Sequence, residues 1–262
     1  MSPESDPAHA DDARPFRIRP LSARSVVLSL LLGSSPPALS GRDLVRLGER
    51  FGIAAPTLRV ALSRMVTGGD LTLADGVYTL TERHRIRQAE LIERAHLRRA
   101  PYRGVWRMGV VTESGRPAEE RTELRKTMLD AAFAELREGV WLRPDNLPRT
   151  RVDTRPELQF FDVTPDHADA LAHQLWDLPR WAGEAREFID HINNQPDDPL
   201  SALTAAAAAV RHLGTDPALP DELSPPEWPA DALRTAYANY RTALAQSLHT
   251  PRAQPPHQLA HR

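Results

Sequence analysis

A helix that stops abruptly in front of a tight hairpin constrains the fold of this chain more than any other feature of its sequence. Pro56 stands in the first turn of the stretch PTLRVALSRMVTGG, and the two glycines at 68–69 end it. Short strand-like pieces follow at residues 71–73 and 77–80, and the Asp75–Gly76 pair between them favours the positive φ angles of a tight turn. The pattern predicts an antiparallel hairpin directly after the helix.

Two shorter helical patterns precede this unit. From Leu21 the stretch LSARSVVLSLLL repeats apolar residues with the period of a helix and stops at Gly33. Ser40 stands in N-cap position before GRDLVRLGERFG, and Gly52 suits the end of that second helix. Three helices followed by a hairpin is the order of a winged helix-turn-helix domain, whose third helix enters the major groove of DNA. We expect this domain at residues 16–82.

The charge is divided sharply along the chain. Residues 1–13 carry four acids and no base, whereas residues 14–107 carry 17 arginines against seven acids, a balance of +10. The remainder, residues 108–262, holds 16 bases against 24 acids, a balance of −8. A basic block of this length suits a polyanion such as DNA, and its acidic companion implies that only one side of the molecule meets it.

The third helix supplies the candidates for reading DNA. Arg59, Ser63 and Arg64 carry groups that match base edges, whereas Thr57 lies near the helix start, where the helix dipole favours a phosphate. Five arginines on flanking segments are candidates for the phosphate backbone: Arg42, Arg46, Arg83, Arg85 and Arg87. Any one exposed arginine can equally be a solvated surface group. The combined arrangement of these residues is therefore stronger evidence for DNA binding than any one of them.

The middle of the chain alternates strand and helix patterns after a polar connector helix at residues 83–100. The expected elements are strands at 105–111, 139–144 and 156–164, a helix at 119–136, a helix from Asp166, and a last short strand, LWDL, at 175–178. The stretch from Arg143 to Pro156 is rich in Arg, Pro and Asp and is expected to form a loop. The order predicts a ferredoxin-like split βαβ domain at residues 101–180, and hence an α+β protein.

Several classes of protein are excluded or disfavoured by what the sequence lacks. There is no cysteine, so disulfides, thiolate metal sites and cysteine nucleophiles cannot occur. The histidines show no metal-binding spacing, and no Gly-rich phosphate loop or GxSxG elbow is present, so we expect neither an enzyme nor a cofactor. No apolar run approaches the ~20 residues that span a bilayer, which predicts a cytoplasmic protein without a membrane partner. Residues 1–15 and 250–262 are expected to be disordered tails.

Several motifs together resemble those of the PaaX-like transcriptional repressors, a family named for its control of phenylacetic acid degradation. They are LRVALSRMVTGGDL, YTLT, PYRGVWR, GVWLRPDNL, LWDL and DPALPDELSPPEWPA, and the resemblance covers about residues 21–245. It implies a dimeric repressor with an N-terminal winged helix, a middle domain similar to small CRISPR-associated endoribonucleases, and a C-terminal helical domain at residues 181–249. It also implies release from DNA by an aryl-coenzyme A thioester, typically phenylacetyl-coenzyme A.

An acyl-coenzyme A effector would require arginines for its phosphates and an aromatic-lined cavity for its acyl group. The middle domain offers six candidates: Trp106, Trp141, Arg143, Arg121, Arg125 and Lys126. The alternative is that the two tryptophans are core residues and that the charged residues on the helix pair with neighbouring glutamates.

Two other functions remain open at this point. A metal-dependent RNA-processing nuclease would use a carboxylate such as Glu113 at the end of the first middle strand. An architectural DNA-binding protein would share the winged helix but would show little sequence preference. The preferred hypothesis is a homodimeric, sequence-specific regulator of a palindromic operator, because one recognition helix reads only a small surface of DNA.

Overall fold

The computed structural model describes residues 21–34, 36–82, 84–86, 99–113, 115–194 and 198–249. Within them the chain is a mixed α+β protein with two antiparallel sheets. None of the described helices is long and apolar enough to cross a membrane. The two predicted tails and most of the predicted connector helix lie outside the described residues, although His84–Ile86 is helical.

The N-terminal unit contains the predicted three helices and hairpin, and one strand that the sequence did not reveal. Its elements are α1 (Ala23–Gly33), β1 (Ala38–Ser40), α2 (Gly41–Arg50), α3 (Ala55–Thr67), β2 (Leu71–Ala74) and β3 (Val77–Leu80). The order of strands in the sheet is β1-β3-β2, all antiparallel. Strand β1 has only three residues, too few to show an alternation of apolar and polar side chains.

Local hydrogen bonds fix the ends of α2. The hydroxyl of Ser40 accepts from the amide of Asp43 at 3.1 Å, as an N-cap does. At the other end Gly52 adopts a φ of 71°, and the amide of Ile53 donates to the carbonyl of Gly48 at 3.0 Å. This bond and the one from Gly52 to Glu49 form a Schellman motif, which turns the chain directly into α3.

The core of the N-terminal unit depends on a close approach between α2 and α3. The buried apolar residues are Val26, Val27, Leu30, Leu31, Leu44, Leu47, Phe51, Leu58, Leu62, Met65, Leu71 and Leu80, joined by Leu203 from the C-terminal part of the chain. A Cβ added at Gly48 would lie 2.4 Å from Cδ1 of Leu58, so any larger residue here would force the buried Leu58 side chain or α3 itself to shift.

The middle unit is a four-stranded antiparallel sheet with one helix between its first two strands. Its elements are β4 (Trp106–Val111), α4 (Ala118–Asp130), β5 (Ala134–Arg137), β6 (Val140–Pro144), a 3-10 turn (Arg151–Thr154) and β7 (Leu158–Val163). The order of strands in the sheet is β5-β6-β4-β7. The expectation of a loop from Arg143 to Pro156 holds except for the end of β6 and the 3-10 turn.

Two details of the prediction for this region are wrong. The helix predicted at 119–136 ends at Asp130, because Ala132 has a φ of 60° and the buried Phe133 leads into β5. The residues after Asp130 are good helix formers, and the prediction extended the helix through them. Burial against the sheet overrides their helix propensity.

The LWDL piece is not a strand either. Leu175 is the last residue of one helix, and the carboxylate of Asp177 caps the next by accepting from the amide of Arg180 at 3.2 Å. Pro179 in the first turn favours the same helix start. The sheet therefore has four strands among the described residues.

The C-terminal part of the described chain is helical and contacts both preceding units. Its helices are α5 (Ala168–Leu175), α6 (Leu178–Asn193), α7 (Pro199–Leu213) and α8 (Ala230–His249). Trp181 stacks on His212 and on Trp228, with ring centroids 4.4 and 4.7 Å apart. Leu203 reaches the N-terminal core, and the amide group of Asn146 donates to the carbonyl of Ala218 at 2.9 Å, which joins the middle unit to the segment before α8.

Candidate nucleic-acid interface

Helix α3 exposes the residues that the sequence analysis assigns to base reading. Leu58, Leu62 and Met65 bury one face of the helix in the core. The other face is exposed to solvent and carries Thr57, Arg59, Ser63 and Arg64. The structure thus brings the four predicted residues of this helix onto one accessible surface.

Two further features of this surface bear on DNA. The N-cap residue Ala54 makes no side-chain hydrogen bond, so no side chain of its own caps the positive end of the α3 dipole beside Thr57. Val60 is 51% exposed among the polar residues. An exposed apolar side chain there is suited to the methyl group of thymine. Val60 is not among the residues predicted from the sequence, because helical periodicity does not separate a contact residue from any other surface residue.

The candidates for phosphate contacts are partly engaged with carboxylates. Arg42 is exposed on α2, and Arg46 is exposed but lies 3.0 Å from the carboxylate of Asp43. Arg85 pairs with Glu82 at 2.5 Å, beyond the hairpin. The other two predicted arginines, Arg83 and Arg87, lie outside the described residues.

Asp70 fixes the end of α3, a role that the sequence analysis missed. Its amide donates to the carbonyl of Met65 at 2.8 Å, and Gly69 at a φ of 71° completes a Schellman motif. Its carboxylate accepts from Nε of Arg24 on α1 and contacts Nε2 of His84, each at 2.7 Å. The hydrogen bond from Arg24 is the main reason why the pKa of the Asp70 carboxyl is held well below its usual range, although burial opposes it.

Asp70 also holds the strand that leaves the hairpin. Its carbonyl accepts from the backbone amide of Thr81 and from the hydroxyl of the same residue, each at 3.2 Å. One buried residue therefore connects α1, the end of α3 and the exit from β3. Any change in its partners can alter how α3 is held against α1 and the hairpin.

The six residues predicted to bind an effector do not converge on one site. Arg121, Arg125 and Trp141 line a cavity of about 580 Å³ at α4 and the sheet. Trp106 does not line this cavity. It is fully buried in an apolar cluster that does not include Trp141, and its indole N–H donates to the hydroxyl of Tyr102 at 2.9 Å. Both tryptophans are core residues, as the alternative interpretation holds.

The remaining two residues lie apart from that cavity. Arg143 is buried, with its guanidinium 4.9 Å from the centre of the Phe133 ring, and burial lowers its pKa to about 10. Lys126 is exposed on α4. Within the cavity Arg125 pairs with Glu135 of the neighbouring strand rather than with a glutamate of its own helix.

The carboxylate considered for a nuclease belongs to no metal-binding group among the described residues. Glu113 is exposed, and its nearest described cationic partner is Arg116, at 3.9 Å. No group of three or more His, Asp or Glu side chains in the described part of the chain could hold a metal ion.

Family models match both the N-terminal and the C-terminal part of the chain. A model described as PaaX-like protein matches residues 22–84, and one described as PaaX-like protein C-terminal domain matches residues 171–250. The chain belongs to the PaaX-like family. Membership of this family indicates a transcriptional regulator that binds DNA, and the N-terminal match contains α3 with all its exposed candidates.

A solved structure extends the likeness over the middle unit of this PaaX-like chain. The uncharacterized protein Rv0674 from Mycobacterium tuberculosis is 41% identical, with a TM-score of 0.77. The match covers 87% of this chain and 97% of that one. No curated protein matches the chain.

Proposed function

We propose that this PaaX-like protein is a homodimeric, sequence-specific repressor without enzymatic activity, released from its operator by a small molecule such as an aryl- or acyl-coenzyme A thioester. The observation that carries the proposal is the exposed face of α3, because Arg59, Ser63 and Arg64 can reach base edges there while the opposite face anchors the helix. Family membership supports the DNA-binding part of it.

The finer description of the domains is part of this proposal. The N-terminal unit is a winged helix-turn-helix domain at residues 16–82, supported by its helix order and its β1-β3-β2 sheet. A ferredoxin-like domain at 101–180 is supported by the all-antiparallel order β5-β6-β4-β7. A 3-10 turn stands where such a domain usually has its second helix. Residues 181–249 are the C-terminal helical domain.

Phosphate contacts from Thr57 and from the flanking arginines would hold the domain on the duplex. We propose this role for Thr57, Arg42, Arg46, Arg83, Arg85 and Arg87. The hairpin tip carries Asp75 and no base, so the electrostatic attraction would come from the helices and from the segment after the hairpin.

Binding of the full-length protein to its own promoter fragment tests the proposal. At about 150 mM salt we expect affinity for this fragment to exceed that for a scrambled duplex by roughly a thousandfold or more. We expect two chains per duplex, because a dimer places its recognition helices about 34 Å apart on half-sites. Equal affinity for both duplexes would favour an architectural protein. A complex with one chain would remove the dimer.

Substitution of two arginines separates base reading from phosphate contact. Arg64→Ala should cost roughly 1 to 3 kcal/mol of binding free energy and relax specificity at one base pair. Arg42→Ala, the matched control on α2, should weaken all sequences alike and reduce the salt slope by about one. Binding to a set of single-base operator variants measures both effects. Identical profiles for the two variants would show that α3 is not the reading helix.

A further inference from the structure

A cavity of about 270 Å³ lies where the N-terminal unit meets the C-terminal helices. Helices α1, α7 and α8 form its walls, with apolar side chains that include Leu28, Leu203 and Leu244. We call it the junction cavity. Its volume is close to the lower end of the roughly 300–1,000 Å³ that small-molecule sites occupy.

The polar lining of the junction cavity is cationic. Arg24, Arg211, Arg241 and His84 contribute to it, and no carboxylate does so among the described lining residues. Arg24 is engaged by Asp70, whereas Arg211 and Arg241 form no ion pair within the described part of the chain. A cavity with apolar walls and two arginines without a counter-ion is suited to an organic anion.

Two tyrosines complete the chemistry of the junction cavity. Tyr237 and Tyr240 of α8 line it, and Arg241 lies over the Tyr237 ring. Burial raises the pKa of the Tyr240 phenol, so its hydroxyl stays protonated at neutral pH. It can therefore donate a hydrogen bond to a negatively charged group, while the rings contact an apolar body.

The junction cavity shares two of its side chains with the end of α3. Arg24 and His84 line the cavity and also contact the two carboxylate oxygens of Asp70. An anion in the cavity can compete with Asp70 for Arg24. Loss of that contact loosens the residue that fixes the end of α3 and the exit of the hairpin.

We propose that the junction cavity binds an amphipathic organic anion, held by Arg211 and Arg241, which weakens DNA binding by drawing Arg24 away from Asp70. This inference rests on the proposed DNA-binding function and specifies how that function is regulated. The cavity at α4 is a weaker candidate, because Glu113, Glu135 and Glu138 line it beside its arginines. An anion entering there would meet charges that are already balanced.

The test uses a fluorescent aryl sulfonate, 8-anilinonaphthalene-1-sulfonate, and its neutral parent, N-phenyl-1-naphthylamine. The full-length protein is titrated with each probe, alongside the Arg211→Gln and Arg241→Gln variants. Arg121→Gln at the α4 cavity and Arg180→Gln at an exposed position of α6 serve as matched controls. We expect one sulfonate per chain, at least tenfold weaker binding in the first two variants only, and little change for the neutral probe in any variant.

The effect of the anion on DNA binding is tested by two different measurements. Saturating sulfonate should lower promoter affinity at least tenfold in the wild-type protein and leave it unchanged in Arg211→Gln and Arg241→Gln, whose affinity without probe should be normal. Hydrogen exchange of the amides of Asp70 and Thr81 should accelerate at least tenfold with the sulfonate, whether or not DNA is bound.

These readouts separate failure of the inference from failure of the proposed function. Sulfonate binding that survives both arginine variants, or that is lost in Arg121→Gln, would overturn the proposed site. Unchanged exchange at Asp70 and Thr81 would overturn the coupling. Equal binding of promoter and scrambled duplex contradicts the proposed function instead, while the titration and the exchange measurement still decide the inference.

Discussion

Asp70→Ala is expected to lower the free energy of unfolding by about 3 kcal/mol, because it removes two charge-assisted hydrogen bonds from a buried position. It should also weaken DNA binding, since the end of α3 loses its connection to α1. Urea denaturation and promoter binding measure the two effects. Asp166→Ala, at an exposed position, is the control and should change stability by less than about 0.5 kcal/mol. Equal stability of the two variants would show that Asp70 does not fix α3.

The pH dependence of the unfolding free energy of wild type and of Asp70→Ala provides a second measurement. The pKa of Asp70 is depressed in the folded state, so its stabilising contribution is present above the unfolded pKa of about 3.9. That contribution is lost as the pH falls from there through the folded pKa. The difference in unfolding free energy between wild type and Asp70→Ala should therefore be present at pH 5 and shrink below about pH 4. A difference that grows on acidification would contradict this sign.

Gly48→Ala is expected to destabilise the protein by about 2 kcal/mol, and Gly48→Val by about 3 kcal/mol. The added Cβ would lie 2.4 Å from a side-chain carbon of Leu58, which is fully buried and has little room to move. DNA binding should fall as well, because α3 must shift to accommodate the new atoms. Thermal unfolding and promoter binding are the measurements.

Gly183 on α6 is the control position for the substitutions at Gly48. A Cβ there meets no atom within 4 Å, so Gly183→Ala should stabilise the protein by up to about 1 kcal/mol through helix propensity. Substitutions of the same kind at the two glycines therefore have opposite expected signs. Destabilisation of similar size at both would mean that the contact with Leu58 is not the cause.

The sequence by itself determined the local elements of the N-terminal unit. Ser40 and Gly52 mark the two ends of α2, and the structure uses both, one as a cap and one in a Schellman motif. The period of α3 separated the buried Leu58 and Leu62 from the exposed Arg59. These signals are readable because caps, turns and helix faces depend on residues within about four positions of each other.

Tertiary structure decided the features that join distant residues. Arg24 and Asp70 are 46 positions apart, and the junction cavity combines α1 with helices near the other end of the chain. Where the predicted helix at 119–136 gives way to β5, pairing with β6 overrides a favourable helix propensity. Local pattern carries no information on which distant side chains meet, since that choice is made by packing and by the pairing of buried charge.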